Sequence, residues 1–164
     1  MAVGKTYTVD SGLIVLASTS QTPLIASNGG TAFVADIEAI RVSVSSSGGT
    51  PSYPSNSIVN FLLARTTAAA TTASAVVARP HNPTDVAAQT SFLAGTNVGA
   101  VTTPGVTLWS QNLPFTAGAN WAEWVTPGAE WRTAASATAG VAVYVTCTSA
   151  GTNTAFQIEL VFSE

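Results

Sequence analysis

VAVYVTCT at 141–148 and AFQIELVF at 155–162 carry the clearest pattern in the chain, and their reading decides its fold class. Val141, Val143, Val145 and Cys147 share one parity in the first segment. Phe156, Ile158, Leu160 and Phe162 share one parity in the second, with Gln157 and Glu159 on the other. Successive strand residues point to opposite faces, so each segment turns one apolar face to a core and leaves Gln157 and Glu159 looking outward. Ser149-Ala150-Gly151-Thr152-Asn153 has turn composition, so the two strands are expected to form an antiparallel hairpin.

The same alternation recurs toward the N-terminus. In FVADIEAIRVSVS at 33–45, Ile40, Val42 and Val44 lie on one face and Arg41, Ser43 and Ser45 on the other. Asp36 and Glu38 share the parity of Ile40, which predicts a bulge that shifts the phase, or else an inward carboxylate with a partner such as an arginine; the bulge is preferred. KTYTV at 5–9 and GLIVLA at 12–17 flank Asp10-Ser11-Gly12 and suggest an opening hairpin. TPLIA at 22–26 is a further strand, ended by Ser27-Asn28-Gly29-Gly30. IVNFLLARTT at 58–67 has little alternation, as in a central strand covered on both faces, and SAVVAR at 74–79 is expected to pair with it.

Between these strands lie long polar stretches. SSGGTPSYPSNS at 46–57 is an exposed loop in which Tyr53, between Pro51 and Pro54, is placed to dock on a neighbour. Residues 80–104 lack periodicity; residues 83–89 suit one helical turn capped by Thr84 or Asp85, and Ser91-Phe92-Leu93 is expected to touch the core. VTLWSQ at 106–111 returns to strand character, with Trp109 opposite in phase to Leu108.

All four tryptophans, Trp109, Trp121, Trp124 and Trp131, fall within 105–132. Each indole can bury about 150–250 Å², roughly 4–6 kcal/mol gross, so this stretch is a core anchor, a binding surface or both. Gly118, Pro127 and Gly128 break it into short pieces, and an irregular turn carrying Trp121 and Trp124 is expected there. Trp121, Trp124 and Trp131 are expected to pin this segment onto the sandwich or a neighbouring subunit.

Together the signals describe one all-β domain over residues 1–164, an antiparallel β-sandwich of jelly-roll type with about eight to ten strands and long loops. No strand is followed by a helix long enough for a parallel crossover, which excludes an α/β fold.

Composition narrows function. Of 164 residues, 46% are hydrophobic and only 8% charged, against about 25% charged in an ordinary soluble protein. Such a surface suits burial against other subunits or an extracellular particle. Lys5, Arg41, Arg65, Arg79 and Arg132 are scattered within a net charge of −3, which excludes electrostatic capture of nucleic acid. LIVLA at 13–17 is too short to cross a bilayer, so no membrane is expected, and the start MAVGKTYTVDSG has no secretory pattern. Cys147 is alone, and Asp36 with Glu38 is a thin substitute for a calcium loop, so neither metal nor cofactor is expected.

No catalytic motif emerges. His81, near Asp85, is the one histidine and reads as an exposed loop residue. Glu123 and Glu130 flank Trp124 as a glycosidase acid and base would flank an aromatic platform, yet their irregular context favours ion pairs with Arg132 or a neighbour's arginine. Sugar stacking on the tryptophans without catalysis is the better-supported binding reading.

Taken together, FVADIEAIRVSV (33–44), VNFLLARTTAAATTASAVVARPHNPTDVAAQTS (59–91), LPFTAGANWAEWVTPGAEW (113–131) and VAVYVTCTSAGTNTAFQIELVFSE (141–164) make the chain resemble small jelly-roll decoration or cement proteins of tailed bacteriophages. The resemblance implies a structural virion protein without enzymatic activity. Made in the host cytoplasm, it would bind the outer capsid surface as a homotrimer or homodimer and staple neighbouring copies of the major capsid protein. Tyr53, His81, Trp121, Trp124 and Trp131 are then candidate interface residues. The alternative is a glycan-binding recognition module of a tail fibre or baseplate.

Overall fold

The computed structural model describes residues 4–16, 19–27, 34–46, 58–66, 74–95, 104–114, 120–125, 131–133, 140–148 and 154–164. They contain no helix. Their strands are β1 (Thr6–Asp10), β2 (Ile14–Val15), β3 (Ser20–Ser27), β4 (Asp36–Ser46), β5 (Ile58–Thr66), β6 (Ser74–Val76), β7 (Arg79–Pro80), β8 (Ser91–Ala94), β9 (Thr107–Pro114), β10 (Asn120–Val125), β11 (Trp131–Arg132), β12 (Gly140–Cys147) and β13 (Thr154–Ser163). A seven-stranded sheet runs β10-β4-β13-β1-β7, with β11 beside β4 and β2 beside β13; a six-stranded sheet runs β6-β8-β3-β12-β5-β9.

The pairing is nested. β1 pairs with β13, β3 with β12, β4 with β10 and β5 with β9, all antiparallel. The chain is therefore one long ribbon of antiparallel pairs, rolled so that successive pairs fall in alternate sheets. That is the jelly roll.

Alternation builds the core between the sheets. Val141, Val143 and Val145 from β12 face Phe156, Ile158, Leu160 and Phe162 from β13 in one buried cluster that also holds Ile40, Val42, Val44, Phe61 and Leu63. The expected β12–β13 hairpin is thus corrected: β12 lies between β3 and β5, and β13 between β1 and β4, in different sheets. Two strands with inward apolar faces meet the same burial requirement face to face across a sandwich as side by side, and here they do so face to face.

The opening hairpin is corrected in the same way. β1 and β2 both run along β13, with Asp10 opposite Glu159 and Ile14 opposite Phe156, so 11–13 opposes 157–158 as a bulge. Gly12 takes φ 69° there, its N–H donating to Asp10 Oδ1 at 2.7 Å. A glycine avoids the Cβ penalty of that conformation. The bulge expected in β4 is present: Ile37 opposes Phe162 and Ala39 opposes Val161, which leaves Glu38 as the extra residue and brings Ile37 into phase with Ile40. Asp36, at the strand start, also meets an arginine, Arg132.

SAVVAR does not pair with β5, whose neighbours are β12 and β9. Residues 74–80 instead change sheets, β6 pairing with β8 and β7 with β1. No helical turn forms at 83–89; Asn82 Oδ1 accepts from Thr84 N at 3.2 Å and from Thr84 Oγ1 at 2.9 Å, so an Asx-type turn replaces the expected cap. The insertion between β5 and β9 is nevertheless well anchored. Phe92 is buried in the core 4.9 Å from the Phe162 ring, Tyr7 OH donates to Val86 O, and the Glu164 carboxylate accepts from Gln89 N and Thr90 N.

β10 replaces the irregular turn expected around Trp121 and Trp124. Pairing with β4 from Asn120↔Val44 to Val125↔Ala39 outweighs the Gly and Pro around it, because those residues lie outside the paired segment. The strands outnumber those marked by turn signals because the β1–β2 path along β13 and the β10–β11 path along β4 are each interrupted, and because the insertion adds β6, β7 and β8.

Candidate functional site

Strand register collects charge that is dispersed in sequence. Across the outer face of the seven-stranded sheet, Asp10, Glu159, Arg41 and Glu123 occupy one row, on β1, β13, β4 and β10. Arg41 Nε donates to Glu123 Oε1 at 2.6 Å and Arg41 Nη1 donates to Glu159 Oε1, so one guanidinium ties three strands. The hydrogen bonds that Arg41 donates to Glu123 and then to Glu159 raise its pKa above the ordinary value, keeping it a fixed cation. Asp10 Oδ2 accepts from Gln157 Nε2 at 2.5 Å.

The six-stranded sheet has a matching row of different chemistry. Ser20, Thr146, Asn60 and Asn112 align across β3, β12, β5 and β9. Asn60 Nδ2 donates to Asn112 Oδ1 at 2.8 Å and to Ser110 Oγ at 2.9 Å. Arg65 is the one charged residue in the six strands of this sheet, and its Nη1 donates to Arg132 O in the opposite sheet. Lys5, Asp10, Asp36, Glu38, Arg41, Arg79, Glu123, Arg132, Glu159 and Glu164 all lie in, or next to, strands of the other sheet. Among the described residues the sandwich is electrically two-sided: one outer face is salt-bridged, and the strands of the other sheet hold one charge, Arg65.

A cleft of about 540 Å³ opens beside the charged row, with Thr8, Asp10, Arg79 and Glu159 among its walls. Its carboxylates are already engaged, Asp10 by Gly12 N and Gln157 and Glu159 by Arg41. Nearby, Thr8 Oγ1 lies 2.5 Å from His81 Nε2. A hydroxyl beside an imidazole is the start of a nucleophilic pair, but this one is exposed, and among the described residues no carboxylate orients the other ring nitrogen. No group of three or more His, Cys, Asp or Glu side chains that could hold a metal ion occurs among the described residues.

The candidate residues named from sequence are dispersed. His81 follows β7, its N–H bonded to Thr6 O at 2.9 Å. Trp131 is buried opposite Ile37 and joins the core, as does Trp109 on β9. Trp124 is 48% exposed on the edge strand β10. Trp121 lies on that strand opposite Ser43. Tyr53 and Glu130 lie outside the described residues. The expected pairing of Glu123 with Arg132 is corrected: the β10–β4 register sets Glu123 against Arg41, while Arg132 engages Asp36 Oδ1 at 2.6 Å and Oδ2 at 3.0 Å. The charged and neutral rows were missed from sequence because their members are far apart in the chain. Their outward parity was the available signal, and only the topology aligns them.

No protein-family model matches the chain, and no curated protein matches it at a significant level.

Proposed function

We propose that this protein is a noncatalytic decoration protein of a tailed-phage virion, which binds the outer capsid surface and staples neighbouring major capsid subunits. It would be made in the host cytoplasm and assemble as a homo-oligomer, a dimer or trimer, on the shell. The observation that carries this reading is the segregation of charge: an 8% charged chain places nearly all of its described charges on one sheet, leaving the strands of the six-stranded sheet with Arg65 as their one charge. A neutral face of amides, hydroxyls and small apolar groups can be buried against a protein lattice without stranding an unpaired ion. Multiplicity supplies the strength, since an oligomer that makes one lattice contact makes the next intramolecularly.

The test is to add the purified protein to shells lacking it and count bound copies after sedimentation. Saturation at hundreds of copies per head supports the reading. The rival, glycan recognition by a tail module, draws on the half-exposed indole of Trp124. No binding to shells, together with glycan binding that Trp124→Ala abolishes, would replace the proposal with that rival.

A further inference from the structure

We infer that β10 is the edge through which two copies of this chain pair, antiparallel, into one continuous sheet about a two-fold axis. The inference names the surface for self-association and rests on edge geometry, so it stands or fails separately from capsid binding.

An open sandwich has edge strands whose unpaired backbone groups attract other strands, and proteins blunt them with short strands, prolines and charge. The edges described here differ in this respect. β7 is two residues long and includes Pro80, which has no N–H to offer; β6 is three residues long. β9 ends on Pro114 and shows a polar middle, Ser110-Gln111-Asn112, with little apolar surface to reward a partner. β10 is neither short nor broken by proline. It is six residues long without proline or lysine, pairs with β4 on one side, and has no described strand on the other. Its C-terminal end leaves two large apolar side chains in solvent, Trp124 at 48% and Val125 at 62% exposure. Its single charge, Glu123, is paired with Arg41, so a register that keeps the two copies of Glu123 apart meets no like charge along this edge.

The sequence of β10 also favours its own copy as the partner. Antiparallel pairing about an axis normal to the sheet opposes residues that share a face, which restricts the registers. Setting Glu123 against Glu123 of a second copy opposes like charges and is disfavoured. Shifting the axis by one residue sets Trp124 against Trp124 of the second copy and Val125 against the aliphatic stem of Glu123. That register stacks two half-exposed indoles and covers both exposed apolar groups at once. An isologous contact of this kind closes as a dimer.

Light scattering on a size-exclusion column tests the inference, with circular dichroism to confirm folding. The wild-type chain at tens of micromolar should show twice its 16.6 kDa mass. Val125→Lys, which adds the charge natural edges use, should halve that mass with an unchanged spectrum. Val77→Lys, at a residue 81% exposed in the β6–β7 crossing, should leave the dimer intact. A wild-type mass of one chain or of three, or a dimer that survives Val125→Lys, would overturn the inference.

Discussion

Replacing Phe92 by Ala tests whether the insertion between β5 and β9 belongs to the core or merely lies on it. Phe92 is fully buried on β8 and its ring is 4.9 Å from Phe162, which in turn stacks on Tyr7 at 5.4 Å. Truncating a buried phenylalanine costs about 3–5 kcal/mol, ring contacts included. At about 2–4 °C per kcal/mol for a domain of this size, Tm should fall by roughly 6–20 °C. Urea unfolding monitored by tryptophan fluorescence measures the same quantity, and the slope adds a second reading. An unchanged slope with a lower midpoint means the insertion stays docked; a smaller slope means it has detached and exposed its surface before unfolding. A loss below about 1 kcal/mol would refute the account, because a ring in that setting cannot be removed so cheaply.

Arg41→Met removes the cation that bridges Glu123 and Glu159 and leaves them in a row with Asp10. The Arg41 side chain is half exposed, so each of the two pairs contributes about 0.2–1 kcal/mol, and the total loss should be about 0.4–2 kcal/mol, shrinking as salt is added. A loss independent of salt would assign Arg41 a packing role instead. Tyr7 has its phenol pKa raised by burial, with the charges of Glu164 and Asp85 adding to the effect. A raised pKa means that the native state holds the proton more tightly than the unfolded chain, so this stability is complete below about pH 10 and declines as pH rises beyond it. Tyr7→Phe should flatten the alkaline fall in urea midpoint while costing about 0.5–1.5 kcal/mol at neutral pH through the lost bond to Val86 O. Tyr144, raised by burial as well, accounts for a remaining slope; an unaltered alkaline profile in Tyr7→Phe would contradict the assignment.

Local pattern revealed which residues face inward, but it did not reveal their lateral neighbours. The parity of Val141, Val143 and Val145 and of Phe156, Ile158, Leu160 and Phe162 was legible, and so was the phase shift at Glu38, because both depend on the two-residue repeat of a strand. Pairing was not legible. Turn composition at Asp10-Ser11-Gly12 marks a change in backbone conformation, and a bulge needs the same positive φ as a hairpin turn. Gly118, Pro127 and Gly128 signal an irregular turn around Trp121 and Trp124, whereas the ladder to β4 decides the conformation of that segment. The rows of the two outer faces step from β13 to β4 and from β12 to β5, contacts that exist only once the ribbon is rolled. Outward parity at Arg41 and Glu159 was visible, and their adjacency was not.

The central claim, that the neutral six-stranded sheet is the face presented to the capsid, is most directly tested by binding single-lysine variants to shells that lack the protein. Thr146→Lys places an ammonium on an exposed position of the neutral row, and Ser43→Lys places the same charge on the outer face of the other sheet. Burying an unpaired ammonium costs several kcal/mol, and about 1.4 kcal/mol is a factor of ten in affinity. The account predicts that Thr146→Lys weakens binding by roughly a hundredfold or more while Ser43→Lys binds as the wild type does. Retained binding by Thr146→Lys, with binding lost in Ser43→Lys, would contradict it.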